Sequence, residues 1–172
     1  PGPAEWRPVL ARELPGGDEL SAFRCQEERE ALLGDVARRA QQLGLQPLRW
    51  PEPFPFDSAF AMRAATYAKS IGRIVPFAQA AFRQAFAGGR DLEQPDNVLI
   101  AAAACEMHPS AVLRGAELRS VRTQLADATN DAIRSSIKKI PAIVVDDAVY
   151  EGARAIDDAA AHMLELGIGA AR

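Results

Sequence analysis

The chain has 172 residues, 48% of them apolar and 25% charged, and a net charge of -3, which suffices for one globular domain with a buried core. Acidic and basic residues are interspersed, so no field suited to nucleic acid arises, and the longest apolar run, Val98 to Cys105, is far too short to cross a bilayer. Only two cysteines occur, Cys25 and Cys105, with no CxxC pair and no Cys/His cluster of ligand spacing, so neither a disulfide framework nor a metal site is supported.

In chain order, Glu5 to Leu10 carries aromatic and β-branched residues and runs into the turn-forming Pro15-Gly16-Gly17, which predicts a strand restricted by Pro8 to an edge or irregular position. Leu32, Val36, Ala40 and Leu43 recur at helical spacing and end at Gly44, predicting an amphipathic helix. Pro47, Pro51, Pro53 and Pro55 then exclude helix from a linker whose Phe54 and Phe56 should tuck into the body.

From Ser58 the composition becomes alanine-rich, and Phe60, Ala64, Ala65, Ala68 and Ile71 mark one helical face that stops at Gly72. A second helix is expected from Arg73 to Phe86, with Pro76 in its first turn and an apolar stripe of Phe77, Ala81, Phe82 and Phe86. Asp96 or Asn97 is the expected cap of a nearly all-apolar helix over Val98 to Cys105, central to a bundle, and Ser110 that of another short helix. Leu118, Val121, Leu125, Ala128 and Ala132 predict a long helix from about Glu117 to Ser136.

The last forty residues change character. Pro141 to Gly152 reads as strand, Asp146-Asp147 turn, strand and glycine exit, followed by a helix from about Ala155 to Leu166. These elements place the chain in the mixed α/β class with helices predominating.

A proline-opened β-hairpin followed by a helix, after a helical block, resembles the C-terminal half of a thioredoxin-like fold with a DsbA-type helical insertion. Phe54-Pro-Phe-Asp-Ser, Ala61-Met-Arg-Ala-Ala-Thr-Tyr-Ala, Phe82-Arg, Phe86 and Gly89-Arg-Asp-Leu resemble, in order and spacing, the insertion of the 2-hydroxychromene-2-carboxylate isomerases and kappa-class glutathione transferases. Asp35-Val-Ala-Arg fits the preceding helix, Trp6-Arg-Pro-Val-Leu resembles that group's second strand, and Ile140-Pro141 stands in the place of its valine and cis-proline. The resemblance implies a thioredoxin-like core over 1–16 and 137–172, with the β-α-β half incomplete and the β-β-α half present, and a helical insertion with its connections over 17–136.

In that group the reacting group, a CxxC thiolate or a glutathione-activating serine, sits where the first strand meets the first helix. No residue here corresponds to it, so the resemblance implies that this unit would lie before Pro1 and that the chain itself carries no catalytic nucleophile. The implied binding residues are Ile140 and Pro141, whose cis bend would expose the Ile140 backbone to an extended thiol ligand, together with Asp57 and Arg63, the latter facing the cleft. Asp57 replaces a usual asparagine and can only accept hydrogen bonds when ionised, and the stretch Tyr150 to Ile156 lacks the aspartate that receives the γ-glutamyl amine. Both changes weigh against glutathione as a cofactor. Asp57 also has a simpler reading as a helix N-cap, and Arg63 as a solvated helix face.

The expected function is therefore a DsbA-like thiol-disulfide oxidoreductase, with a glutathione-dependent isomerase or transferase and a non-catalytic binding protein as alternatives. The expected partner is a thiol or disulfide substrate, or a small aromatic one under the second reading, with no nucleic acid or membrane; a homodimer or an N-terminal piece in trans would fill the lane beside the hairpin. Without a secretory pattern among these residues a cytoplasmic location is expected. Cys105 is expected in the core, Cys25 exposed but unactivated, and His108 and His162 structural.

Overall fold

The computed structural model describes residues 4–17, 25–152 and 154–168. Among them lie seven α-helices and one two-stranded sheet: α1 (Gln26–Gln42), α2 (Ala59–Ser70), α3 (Ile74–Phe82), α4 (Pro95–Ala103), α5 (Pro109–Glu117), α6 (Arg119–Arg134), β1 (Ala142–Val145), β2 (Ala148–Glu151) and α7 (Ala155–Glu165).

The alanine-rich sequence of α2 explains its place at the centre of the bundle, in contact with α3, α4, α5 and α6. Ala61, Ala64, Ala65 and Ala68 are buried along it, and such small side chains let neighbouring helices approach closely. Against them pack Phe77, Val98, Ala101, Ala102 and Val112, all essentially inaccessible to solvent. The approach of α5 is closest at Gly115, where an added Cβ would lie 2.4 Å from the Tyr67 ring. After α3 the chain runs through one wider π turn, Arg83–Ala87, before Gly88 and Gly89 end the helix.

The proline linker leads its aromatic rings inward as expected: Trp50, Phe54 and Phe86 form a cluster, with Trp50 centroids 5.0 Å from Phe54 and 5.8 Å from Phe86. Arg49 N–H donates to Phe86 O at 2.7 Å, tying the linker to the end of the π turn.

β1 and β2 pair antiparallel, Val145 opposite Ala148 and Ile143 opposite Tyr150, across the predicted Asp146-Asp147 turn. Asp146 takes the left-handed conformation at φ 56°, which Asp tolerates better than most residues. α7 covers one face of the hairpin, burying Ala155 and Ala159 against it along with Val145.

Several expectations need correction. Glu5 to Leu10 forms no strand; Leu10 N–H donates instead to the Thr129 hydroxyl on α6 at 3.0 Å, and a single 3₁₀ turn, Ala11–Glu13, follows. A strand exists only by pairing, and here a helix side chain takes the backbone group. Neither Asp96 nor Asn97 caps α4: Pro95 opens it and the Asn97 amide donates to Asp91 O at 2.7 Å. Ser110 lies inside α5, behind His108 as N-cap, and pairs with the His108 ring at 3.0 Å. Ile71 and Phe82 are about half exposed rather than in the bundle interior, because each sits at a helix end where no neighbour overlies the stripe. The stripe of α1 is also thinly covered: Ala40 is its one buried residue, and Leu32, Val36 and Leu43 remain exposed.

Candidate functional site

Asp57 ends the linker, just ahead of α2. Its Oδ1 accepts the Ala59 N–H at 2.7 Å and its Oδ2 the Arg12 Nη1–H at 2.8 Å, while its own N–H donates to Glu93 Oε2 at 3.4 Å. Ser58 occupies the N-cap position without a side-chain bond, so Asp57 is the residue that satisfies the start of the helix. The Ala59 N–H foremost, and then the Arg12 and Arg63 guanidiniums, hold the Asp57 carboxyl below its usual range against a smaller opposing effect of burial. A carboxylate so held is ionised, an acceptor already occupied on both oxygens.

Arg63 lies further along α2, its side chain 26% exposed. Its guanidinium carbon sits 5.7 Å from the Phe60 ring centroid, within cation–π range, and Nη2 donates to Glu117 Oε1 at 3.3 Å. Glu117 is shared with Arg122, so it is bracketed by two cations. The Arg63 Nε is buried and has no protein acceptor. Arg12, Asp57, Arg63 and Glu117 thus form one mixed-charge cluster at the rim of α2.

Ile140 and Pro141 stand elsewhere, at the entrance to β1. The peptide between them is cis, as are Glu52–Pro53 and Phe54–Pro55 in the linker. Both residues are exposed, Ile140 at 46%. The backbone leading to them is pinned: Lys138 and Lys139 N–H donate to Glu151 Oε1 at 2.7 and 3.1 Å, and Gly16 N–H donates to Lys138 O at 2.8 Å. Through Gly16 the segment bearing Arg12 reaches both places, yet among the described residues no hydrogen bond, ion pair or ring contact joins Asp57 or Arg63 to Ile140 or Pro141. Two open grooves among the described residues lie apart from all four: one of about 320 Å³ beside Tyr67, Gly115 and Leu118, and one of about 520 Å³ lined by Val36, Leu43, Leu45 and Leu48 with Arg39 and Arg154.

Both thiols are free. Cys105 is buried, its Sγ–H donates to Ala101 O at 2.9 Å, and burial pushes its pKa up, the reverse of what a nucleophilic thiolate needs. Cys25 is exposed at the start of α1. His108 caps α5, and His162 on α7 packs 5.9 Å from the Tyr150 ring. Among the described residues no three His, Cys, Asp or Glu side chains gather as metal ligands, and no helix is long and apolar enough to span a membrane. Ala153, within the stretch expected to face a γ-glutamyl amine, lies outside the described residues.

Sequence reading missed Arg12, Thr129 and Glu117. For Thr129 a signal existed, a hydroxyl at core spacing between Leu125 and Ala132; Arg12 and Glu117 owe their roles to contacts distant in sequence, which leave no local trace.

A hairpin packed on α7 beside a five-helix bundle, with a proline-led entrance to β1, defines a thioredoxin-like protein with a predominantly helical body. The family model described as DSBA-like thioredoxin domain matches residues 5–164, and the chain belongs to that family. Among solved structures it is similar to a selenomethionine-labelled 2-hydroxychromene-2-carboxylate isomerase, with TM-score 0.74 and 16% identity over 92% of this chain and 77% of that one, a likeness of fold. No curated protein sequence matches significantly.

Proposed function

We propose that the chain is the ligand-holding part of a DsbA-like thiol-disulfide oxidoreductase, its reactive thiolate supplied by residues outside 1–172. The observation that carries this reading is the entrance to β1, where Ile140 and Pro141 are both exposed and leave room for an extended peptide thiol or disulfide. Neither thiol of the chain competes for the chemical role: one is buried with its pKa raised, the other is exposed at the start of α1, where it meets the Glu27 carboxylate rather than a cation. The occupied, ionised Asp57 disfavours glutathione, whose own carboxylates it would repel.

The test is a heteronuclear NMR titration of the chain with a cysteine-containing extended peptide and, separately, with reduced glutathione. The reading expects peptide-induced shifts centred on Ile140 and Ala142 and none with glutathione. Shifts from glutathione around Asp57 and Arg63, enhanced in D57N, would overturn it in favour of a glutathione-dependent isomerase, a reading favoured by the Arg63–Phe60 arrangement, where a cation and a ring adjoin. Isomerisation of 2-hydroxychromene-2-carboxylate with added glutathione then checks that second reading directly, using the protein that carries the reacting group.

A further inference from the structure

Between the end of α6 and Pro141 the backbone is held by three separate parts of the chain. Ile137 N–H donates to Ala132 O on α6 at 3.0 Å, and Lys138 O accepts the Gly16 N–H at 2.8 Å. The next two donors, Lys138 N–H and Lys139 N–H, converge on one atom, Glu151 Oε1, at 2.7 and 3.1 Å.

Glu151 is the last residue of β2 and stands opposite Ala142, the residue that follows Pro141. Its side chain therefore starts at the base of the hairpin and reaches back, across 13 and 12 residues of sequence, to the backbone just ahead of the bend. Two successive N–H groups sharing one carboxyl oxygen fix the course of the segment more closely than one would, because both peptide planes must turn towards the same point. The ladder between β1 and β2 does not supply this restraint, since its pairs begin at Ala142, beyond the bend.

We propose that Glu151 is a positioning residue for the ligand site at Ile140 and Pro141, an inference that rests on the reading of that entrance as the place of an extended peptide thiol or disulfide. The physical effect is preorganisation. A backbone already held in its binding shape need not be ordered by the ligand, whereas one that takes that shape for only a fraction of the time binds more weakly by the same fraction. Reach rather than charge is what the contacts require. The acceptor is a single oxygen at the tip of the side chain, and glutamine presents a carbonyl oxygen at the same distance from the backbone. Aspartate carries the same carboxyl group on a stem one methylene shorter, too short to meet both N–H groups from the same backbone position.

The test is the affinity of the chain for a cysteine-containing extended peptide, measured by NMR titration in the parent and in E151A, E151D and E151Q. Amide exchange at Lys138 and Lys139 is read in each, with circular dichroism as the check on folding. E151A and E151D should speed exchange at both amides and weaken peptide binding about tenfold, the effect of a segment that keeps its binding shape about a tenth of the time. E151Q should restore slow exchange and an affinity within about threefold of the parent. Should E151A fail to fold, E151D and E151Q decide alone. A parent that binds no peptide overturns the reading of the site and this proposal with it. A parent that binds, with a folded E151A or E151D that binds equally well, overturns the assignment of Glu151 alone, and so does an E151Q as weak as E151D.

Discussion

Arg12 Nη1 donates to Asp57 Oδ2 at 2.8 Å across 45 residues of sequence, pinning the N-terminal segment to the start of α2. The same carboxylate closes the first turn of that helix through the Ala59 N–H.

D57A should lower stability by about 1 kcal/mol, the usual cost of losing a helix-capping acceptor, read from urea midpoints. D57N keeps an acceptor for Ala59 and isolates the charge. Because the Asp57 pKa is depressed in the folded protein, the advantage of Asp over Asn is fully present above the unfolded value of about 3.9 and is lost as pH falls through the lower folded value. With the Asp57 side chain 43% exposed, that advantage stays within about 1 kcal/mol. A parent–D57N difference that grows on acidification would show the sign to be wrong.

Thr129 is fully buried, and its hydroxyl both accepts Leu10 N–H and donates to Leu125 O at 2.8 Å. T129V preserves shape but strands the Leu10 N–H, so a loss of about 1–3 kcal/mol is expected, with faster amide exchange at Leu10. Unchanged exchange there would mean that the hydroxyl is not the anchor of the segment.

G115A should destabilise despite alanine's better helix propensity. The added methyl meets the Tyr67 ring atoms close to its Cβ, which cannot swing aside without leaving the α2–α5 contact. Overpacking of this kind costs about 1–3 kcal/mol, and Y67A should remove most of the difference between Gly and Ala at 115 in a double-mutant cycle of thermal denaturation.

Alkylation should distinguish the thiols. At neutral pH the native chain should react with iodoacetamide at Cys25 alone, and unfolding in urea should release Cys105, which is 5% exposed and hydrogen-bonded to Ala101. Peptide mapping reads the result; rapid native labelling of Cys105 would contradict its packing.

The sequence by itself determined what is local. The helical repeat of Leu118, Val121, Leu125 and Ala132 located α6 to within two residues at either end, and the Asp146-Asp147 pair between two β-branched runs located the hairpin and its turn, because periodicity and turn chemistry are carried by neighbours along the chain. The resemblance resting on Trp6, the alanine-rich middle and Ile140-Pro141 reached the right family for the same reason, as an ordered set of local patterns. Tertiary structure decided which donor meets which acceptor. Glu5 to Leu10 has strand composition but no neighbouring strand, so its Leu10 N–H went to Thr129; Asn97 looked like a cap, yet its amide found Asp91 O; and Asp57 became the partner of Arg12. Such choices depend on segments brought together only by the packing of the bundle, where every buried polar group must find a partner and the nearest in space is seldom the nearest in sequence.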